Sequence, residues 1–152
     1  MVINNTMLIG NVFDKLEEID NNSVQCIVTS PPYWGLRDYG NDNQIGLEST
    51  PEKFVDNIVK VFRKARRTLK DDGTLWLNLG DSYARPANSV TSQGGLCSTE
   101  KDNDKYEFAH KKDYGNIIKP KDLVGIPWRL AFALQADGWY LRQDIIWHKP
   151  NP

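Results

Sequence analysis

The sequence has little that points to a metal, a membrane or a disulfide framework. It holds two cysteines and two histidines in 152 residues, at no ligand spacing, so no metal set is expected. Cys26 sits in an apolar run and Cys97 in a polar stretch, with no CxxC pair between them. Reduced thiols are therefore expected. No apolar run approaches the roughly 18 residues that a membrane span requires. The start, Met1 to Gly10, lacks the charged region and apolar core of a signal peptide. Walker loops and catalytic triads are absent as well. So is an excess of positive charge: 19 Lys and Arg oppose 20 Asp and Glu, for a net charge of −1. A nucleic-acid binder usually carries a basic footprint. Any such contact here must come from a local patch or from further polypeptide.

What is present is an ordinary globular composition, 39% hydrophobic and 26% charged, in one domain's worth of chain, residues 1–152. Strand-like and helix-like segments alternate, which predicts an α/β fold. After the short apolar run Met7–Ile9, Asn11 is placed to cap a helix reaching Ile19, with Val12, Leu16 and Ile19 on one face. Val24–Thr29 reads as a buried strand that ends at Pro31-Pro32, because proline cannot donate to a ladder. Tyr33–Ser49 reads as loop. A long helix is expected from Pro51 to about Leu69, capped by Ser49 or Thr50. Its stripe is Phe54, Ile58, Phe62, Ala65 and Leu69. Asp71-Asp72-Gly73 is expected to stop it, and Thr74–Leu79 to form a second strand. Residues 82–119 are polar and uneven, and predict a loop that is mobile or ordered by a partner. Lys121–Asp137 reads as helix, kinked or restarted at Pro127 and stopped by Gly138. Trp139–Trp147 reads as a third strand.

The string Ser30-Pro31-Pro32-Tyr33-Trp34, directly after the first strand, carries the most information. It resembles the Ser/Asp/Asn-Pro-Pro-Tyr/Phe/Trp motif of the amino-methylating DNA methyltransferases. Two further stretches resemble that family in the expected order. One is the lead-in Met7–Asn11 with Ser23–Val28. The other runs from Lys121 through Gly138-Trp139-Tyr140-Leu141 to Asp144–Pro152.

The resemblance implies a chemistry that the residues suit. An exocyclic base amine is a poor nucleophile, since its lone pair is delocalised into the ring. Two acceptors on its N–H groups draw it toward tetrahedral geometry and free that pair. Ser30 Oγ is one candidate acceptor. The Pro31 carbonyl, held by the stiff Pro31-Pro32 unit, is the other. Tyr33 is a candidate to stack on a base that has left its duplex, at roughly 1–3 kcal/mol. Ligands sit at strand ends in open α/β sheets. Without the neighbouring stretches, Pro-Pro-Tyr would be as readily a strand-ending turn with an exposed aromatic.

In the permuted order this resembles, the β group, the target-recognition region and a Phe-x-Gly-x-Gly cofactor motif follow downstream. The sequence has no match to that glycine motif, so an incomplete catalytic domain is expected. The family's lead-in commonly reads Gly-Asp where this chain has Gly10-Asn11. Asn11 is thus either a cofactor-side residue, with Ser30, or simply the helix cap.

Other candidates are weaker. Trp34 and Arg37 follow the motif and are candidates for DNA contact, Arg37 at a phosphate or paired with Asp38. His148 and Lys149 resemble a segment near the target base, and are otherwise surface. Lys60, Arg63, Lys64, Arg66, Arg67 and Lys70 form a basic helix face, more readily a solvated face than a DNA stripe. Asp81, after the second strand, either points into a cleft or caps.

These readings imply a partial Rossmann-like fold of the S-adenosylmethionine-dependent methyltransferase type, in a cytoplasmic, bacterial or phage-encoded chain. The first two strands should be parallel neighbours joined by the long helix, with Trp139–Trp147 in the same sheet and one edge open to another chain. The expected activity is site-specific methylation of double-stranded DNA with a flipped target base, S-adenosylmethionine being the donor. Ser30 favours cytosine N4 over adenine N6, where aspartate is commoner in the family. The expected alternative is a fragment of a split enzyme that binds DNA, a complementary half or a second copy without activity of its own. Relatives that methylate protein glutamine or RNA usually carry Asn-Pro-Pro-Tyr and place the glycine motif upstream, unlike this chain.

Overall fold

The computed structural model describes residues 5–41, 43–84, 118–148 and 150. Within them the order is α1 (Val12–Glu17), β1 (Val24–Thr29), α2 (Pro51–Thr68), β2 (Leu69–Leu77) and α3 (Ile126–Ala136). The fold is mixed helix and strand, and the one sheet among the described residues is the parallel pair β1–β2.

Local chemistry sets most of the boundaries. Asn11 Oδ1 accepts the Phe13 N–H at 2.9 Å and starts α1. Thr50 Oγ1 accepts the Lys53 N–H at 3.2 Å, and Pro51 opens α2 where no intrahelical donor is needed. Phe54, Ile58, Phe62 and Ala65 then fall on one buried stripe, as the sequence pattern predicts. Each such large side chain contributes roughly 1.5–3 kcal/mol by leaving water. The stripe gathers Ile27, Leu75 and Leu77 from one sheet face, and Ile126, Leu130 and Leu134 from α3. Cys26, Val28, Thr74 and Trp76 are exposed.

Four expectations are corrected. β1 is not a buried strand: Val24, Ile27 and Thr29 are half-buried while Gln25, Cys26 and Val28 are exposed, because only one face of the strand meets the helices. Asp71-Asp72-Gly73 does not separate helix from strand, because β2 begins at Leu69 directly after α2. Val24 pairs with Leu69 but Cys26 pairs with Thr74, so Lys70–Gly73 bulge out of the ladder. Gly73 permits this: a Cβ there would stand 2.9 Å from the Lys70 carbonyl oxygen. The last helix starts at Ile126, not Lys121, since Gly125 at φ +78° is its N-cap. Finally, Trp139–Trp147 forms no strand. Tyr140, Ile146 and Trp147 are 87%, 75% and 76% exposed. Alternating apolar residues make a strand only where a neighbouring strand supplies ladder partners, and among the described residues none lies there.

α3 ends as Gly138 predicts. Gly138 takes φ +95°, its N–H donates to Gln135 O, and the Trp139 N–H donates to Leu134 O at 3.0 Å. Trp139 then meets Phe62 edge-on at 6.5 Å. The expected polar loop, apart from its ends at Ser82–Ala84 and Ile118–Lys119, lies outside the described residues. No described helix is long and apolar enough to cross a membrane.

Candidate functional site

Because β1 and β2 are parallel, their C-terminal ends share one side of the molecule. The Asn78 N–H donates to Thr29 O at 2.9 Å and carries the ladder one bond past β2. Ser30 is the next residue on β1. It is exposed, while Pro31, Pro32 and Tyr33 are half-buried. The Ser30 hydroxyl donates toward the Tyr33 hydroxyl at 3.4 Å. The contact is long for an O–H···O bond, and the Ser30 oxygen keeps lone pairs to accept from elsewhere. Among the described residues, none donates to the Pro31 carbonyl. Ser30 and Pro31 therefore present two acceptors at one strand tip, beside an aromatic ring.

Trp34 is a correction. It is 3% exposed, in the core cluster, and its indole N–H donates to the Glu48 carbonyl at 2.8 Å. The turn at Trp34–Leu36, closed by the Leu36 N–H on Tyr33 O at 3.3 Å, carries the indole inward. It anchors the motif and is not placed to touch DNA. Glu48 is a hub that the sequence pattern does not mark. Besides the Trp34 bond, its carboxylate accepts the Gly46 N–H at 2.8 Å and the Asn57 side-chain amide at 3.0 Å. Gly46 O in turn accepts the Gly35 N–H at 2.6 Å.

Asp81 takes the capping role. Its carboxylate accepts Gly125 N–H at 3.0 Å, Ile126 N–H at 3.2 Å and Ser82 N–H at 2.8 Å. A negative charge on the first amides of α3 also suits the helix dipole. The antiparallel bridge Tyr83–Leu123, with Val124 N–H on Ser82 O at 2.9 Å, extends this clasp.

None of the remaining candidates makes a described hydrogen bond or ion pair with Ser30–Tyr33. Asn11 gives its side-chain oxygen to the α1 cap. Arg37 lies on the exposed loop that Gln44 braces, its carbonyl accepting the Gln44 amide at 2.9 Å. His148 is exposed on the segment after α3, and Lys149 lies outside the described residues. The basic face of α2 is engaged in holding helices. Arg63 pairs with Asp137, Lys64 with Glu17 at 2.5 Å, and Arg67 reaches Leu16 O at 2.6 Å. Lys64 holds the Glu17 carboxyl below its ordinary value, and Asp137 raises Arg63. Open concavities of about 650 Å³ beside Gly138–Arg142 and about 390 Å³ beside Glu48–Lys60 are not lined by any residue of Ser30–Trp34.

Residues 24–152 match the sequence model of a family described as DNA methylase, of the N6/N4 type. The chain is 52% identical over 146 residues to the Type II methyltransferase M.Cfr9I of Citrobacter freundii, covering 96% of the chain and 47% of that relative. It is 50% identical over 147 residues to M.SmaI of Serratia marcescens, covering 95% and 48%. It is 39% identical over 145 residues to M.SfiI of Streptomyces fimbriatus, covering 95% and 30%. The chain thus spans about half the length, or less, of these relatives. No solved structure was found to match it.

Proposed function

The chain belongs to the DNA methylase family, whose Type II members use S-adenosylmethionine as methyl donor, and from that premise we propose that it is the catalytic portion of a DNA methyltransferase acting on an exocyclic base amine. The observation that carries the reading is the strand tip, where exposed Ser30 and the Pro31 carbonyl stand beside Tyr33. Ser30 Oγ and Pro31 O accept the two N–H groups of the amine and gather its lone pair on nitrogen. Fixed acceptors of this kind need no reorganisation as charge develops. Tyr33 stacks on the base once it has left the duplex. The nitrogen pair forms the N–C bond as the methyl–sulfur bond breaks, the donor's sulfur leaves as a neutral thioether, and one proton of the methylated nitrogen passes to water. No covalent enzyme intermediate is needed, so the exposed Cys26 on β1 has no part in it.

Bound S-adenosylmethionine supplies the methyl group. The neutral oxygens at the tip suit a cationic sulfonium. Asn11 is proposed on the donor's side, offering its amide N–H groups and the lone pair that its capping oxygen has left. Cytosine N4 is the proposed target ahead of adenine N6, because the first motif residue is Ser30 and not aspartate. Arg37 is proposed at a backbone phosphate, and His148 with Lys149 near the base. The parallel pair β1–β2 is read as the start of a Rossmann-like sheet.

One assay tests this. Duplex DNA is incubated with methyl-labelled S-adenosylmethionine and the chain, alone or joined by the rest of a relative such as M.SmaI, then digested to nucleosides. Label in N4-methylcytosine is expected. Label in N6-methyladenine corrects the base, and label in neither form under both conditions refutes the reading.

A second reading is favoured by the exposed residues after α3 and by the half-length match. Here the chain binds DNA or a partner, a complementary half or a second copy, and has no activity alone. Calorimetry separates the two. Clear S-adenosylmethionine binding by the chain alone excludes the binding-only reading. Binding that appears only with the added half supports a shared site.

A further inference from the structure

Two glycines far apart in sequence close on the Pro32-Tyr33 unit. An added Cβ on Gly80 would stand 2.8 Å from Tyr33 Cε2 and 3.1 Å from its Cδ2. Carbon atoms pack at about 3.5–4.0 Å, so Gly80 and the ring already fill the space between them. On the loop side, a Cβ on Gly46 would stand 3.2 Å from Pro32 Cβ and 3.2 Å from Tyr33 O. Gly46 also holds φ +109°, a conformation that side chains strain.

The backbones behind both glycines are fixed. Next to Gly46, the Gly35 N–H donates to its carbonyl, and Glu48 accepts its N–H. Before Gly80, the Asn78 N–H is bonded to Thr29 O, and Leu79 packs on the core. After it, Asp81 is bound by three amides, two of them at the start of α3. With both walls held, added volume at Gly80 is relieved by moving the Tyr33 ring, which turns about its own side-chain bonds.

We infer that Gly80 is a positioning residue for the methyl transfer: the bare side of its backbone, pinned to α3 through Asp81, seats the Tyr33 ring beside Ser30, and Gly46 holds the Pro32-Tyr33 backbone from the other side. The inference rests on the stacking role of Tyr33 in the proposed reaction, and gives it a cause in the fold. The ring also carries the Tyr33 hydroxyl, 3.4 Å from the Ser30 hydroxyl. Displacing the ring therefore disturbs both the stack and the acceptor.

The test compares wild type, Gly80→Ala, Tyr33→Ala and the double variant. The readout is affinity for two duplexes, one with the target base unpaired and one with it paired. Wild type is expected to prefer the unpaired base by about tenfold, within the range of one base–aromatic stack. Gly80→Ala is expected to lose most of that preference while still binding paired DNA. In the Tyr33→Ala background the alanine should change nothing further, because the ring it displaces is gone. A general structural fault would instead lower both affinities and add to the Tyr33→Ala effect. If Gly80→Ala fails to fold, the double variant should fold, since removing the ring makes room for the methyl group; an unfolded double variant overturns the inference. Gly80→Ala with its preference intact, while Tyr33→Ala has lost it, overturns the inference and leaves the stacking role standing. A preference unchanged in Tyr33→Ala, or absent from wild type, removes the stacking role and the inference with it.

Discussion

The loop at the strand tips and the segment after α3 both resemble the same family, yet the chain holds only the first. Around Ser30–Trp34 every constraint is supplied from within: Trp34 in the core, Glu48 across the loop, Gly46 and Gly80 on either side. Around Tyr140–Trp147, large apolar side chains face water and the backbone has no described ladder partner. Position at the tip is fixed by contacts, whereas at the segment only composition is. A site whose geometry must hold to a fraction of an ångström needs the first condition. The second gives the segment no fixed place among the described residues.

Substitutions can break or sharpen this contrast. Trp34→Ala should have the largest effect, about 3–5 kcal/mol of stability by denaturant unfolding, because it empties a core site and removes a satisfied indole bond. Asp81→Ala should cost about 1–2 kcal/mol, the worth of a helix cap, and should loosen the start of α3 in hydrogen exchange. Trp147→Ala should stay within about 0.5 kcal/mol, as exposed positions do. A Trp147 effect as large as that of Trp34 would erase the distinction. Smaller still is the exposed Glu17–Lys64 pair. Lys64 lowers the Glu17 carboxyl, so the pair's contribution is present above the ordinary value of 4.5 and is lost as the pH falls below it through the folded value. A Glu17→Gln variant should be flatter than wild type in that window.

What the sequence made legible follows the same line. β1, α2 and its Thr50-Pro51 start, and the Gly138 stop are set by neighbours along the chain, and local chemistry predicts them. The Lys70–Gly73 bulge was half legible: Asp-Asp-Gly signals a turn, but nothing local says that β2 begins before it. For Trp34 the neighbouring motif suggests DNA, while its burial depends on the turn that follows and on Glu48 fourteen residues away. From the sequence Asp81 suits a cleft or a cap equally, and only the return of the chain at Gly125 decides it. Gly46 and Gly80 carry no sequence signal, since a glycine's role as a wall appears only when its opposite face is known. The Trp139–Trp147 strand failed because its alternation states a need for partners and not their presence.

The most direct measurement of the central claim is Ser30→Ala in single-turnover methyl transfer, with DNA affinity measured on the same preparation. Transfer should fall by roughly 10²-fold or more, the scale of losing one fixed hydrogen-bonding group around a reacting centre, with the Kd for duplex DNA unchanged. Transfer at the wild-type rate, or a loss matched by the same loss of DNA affinity, would contradict it.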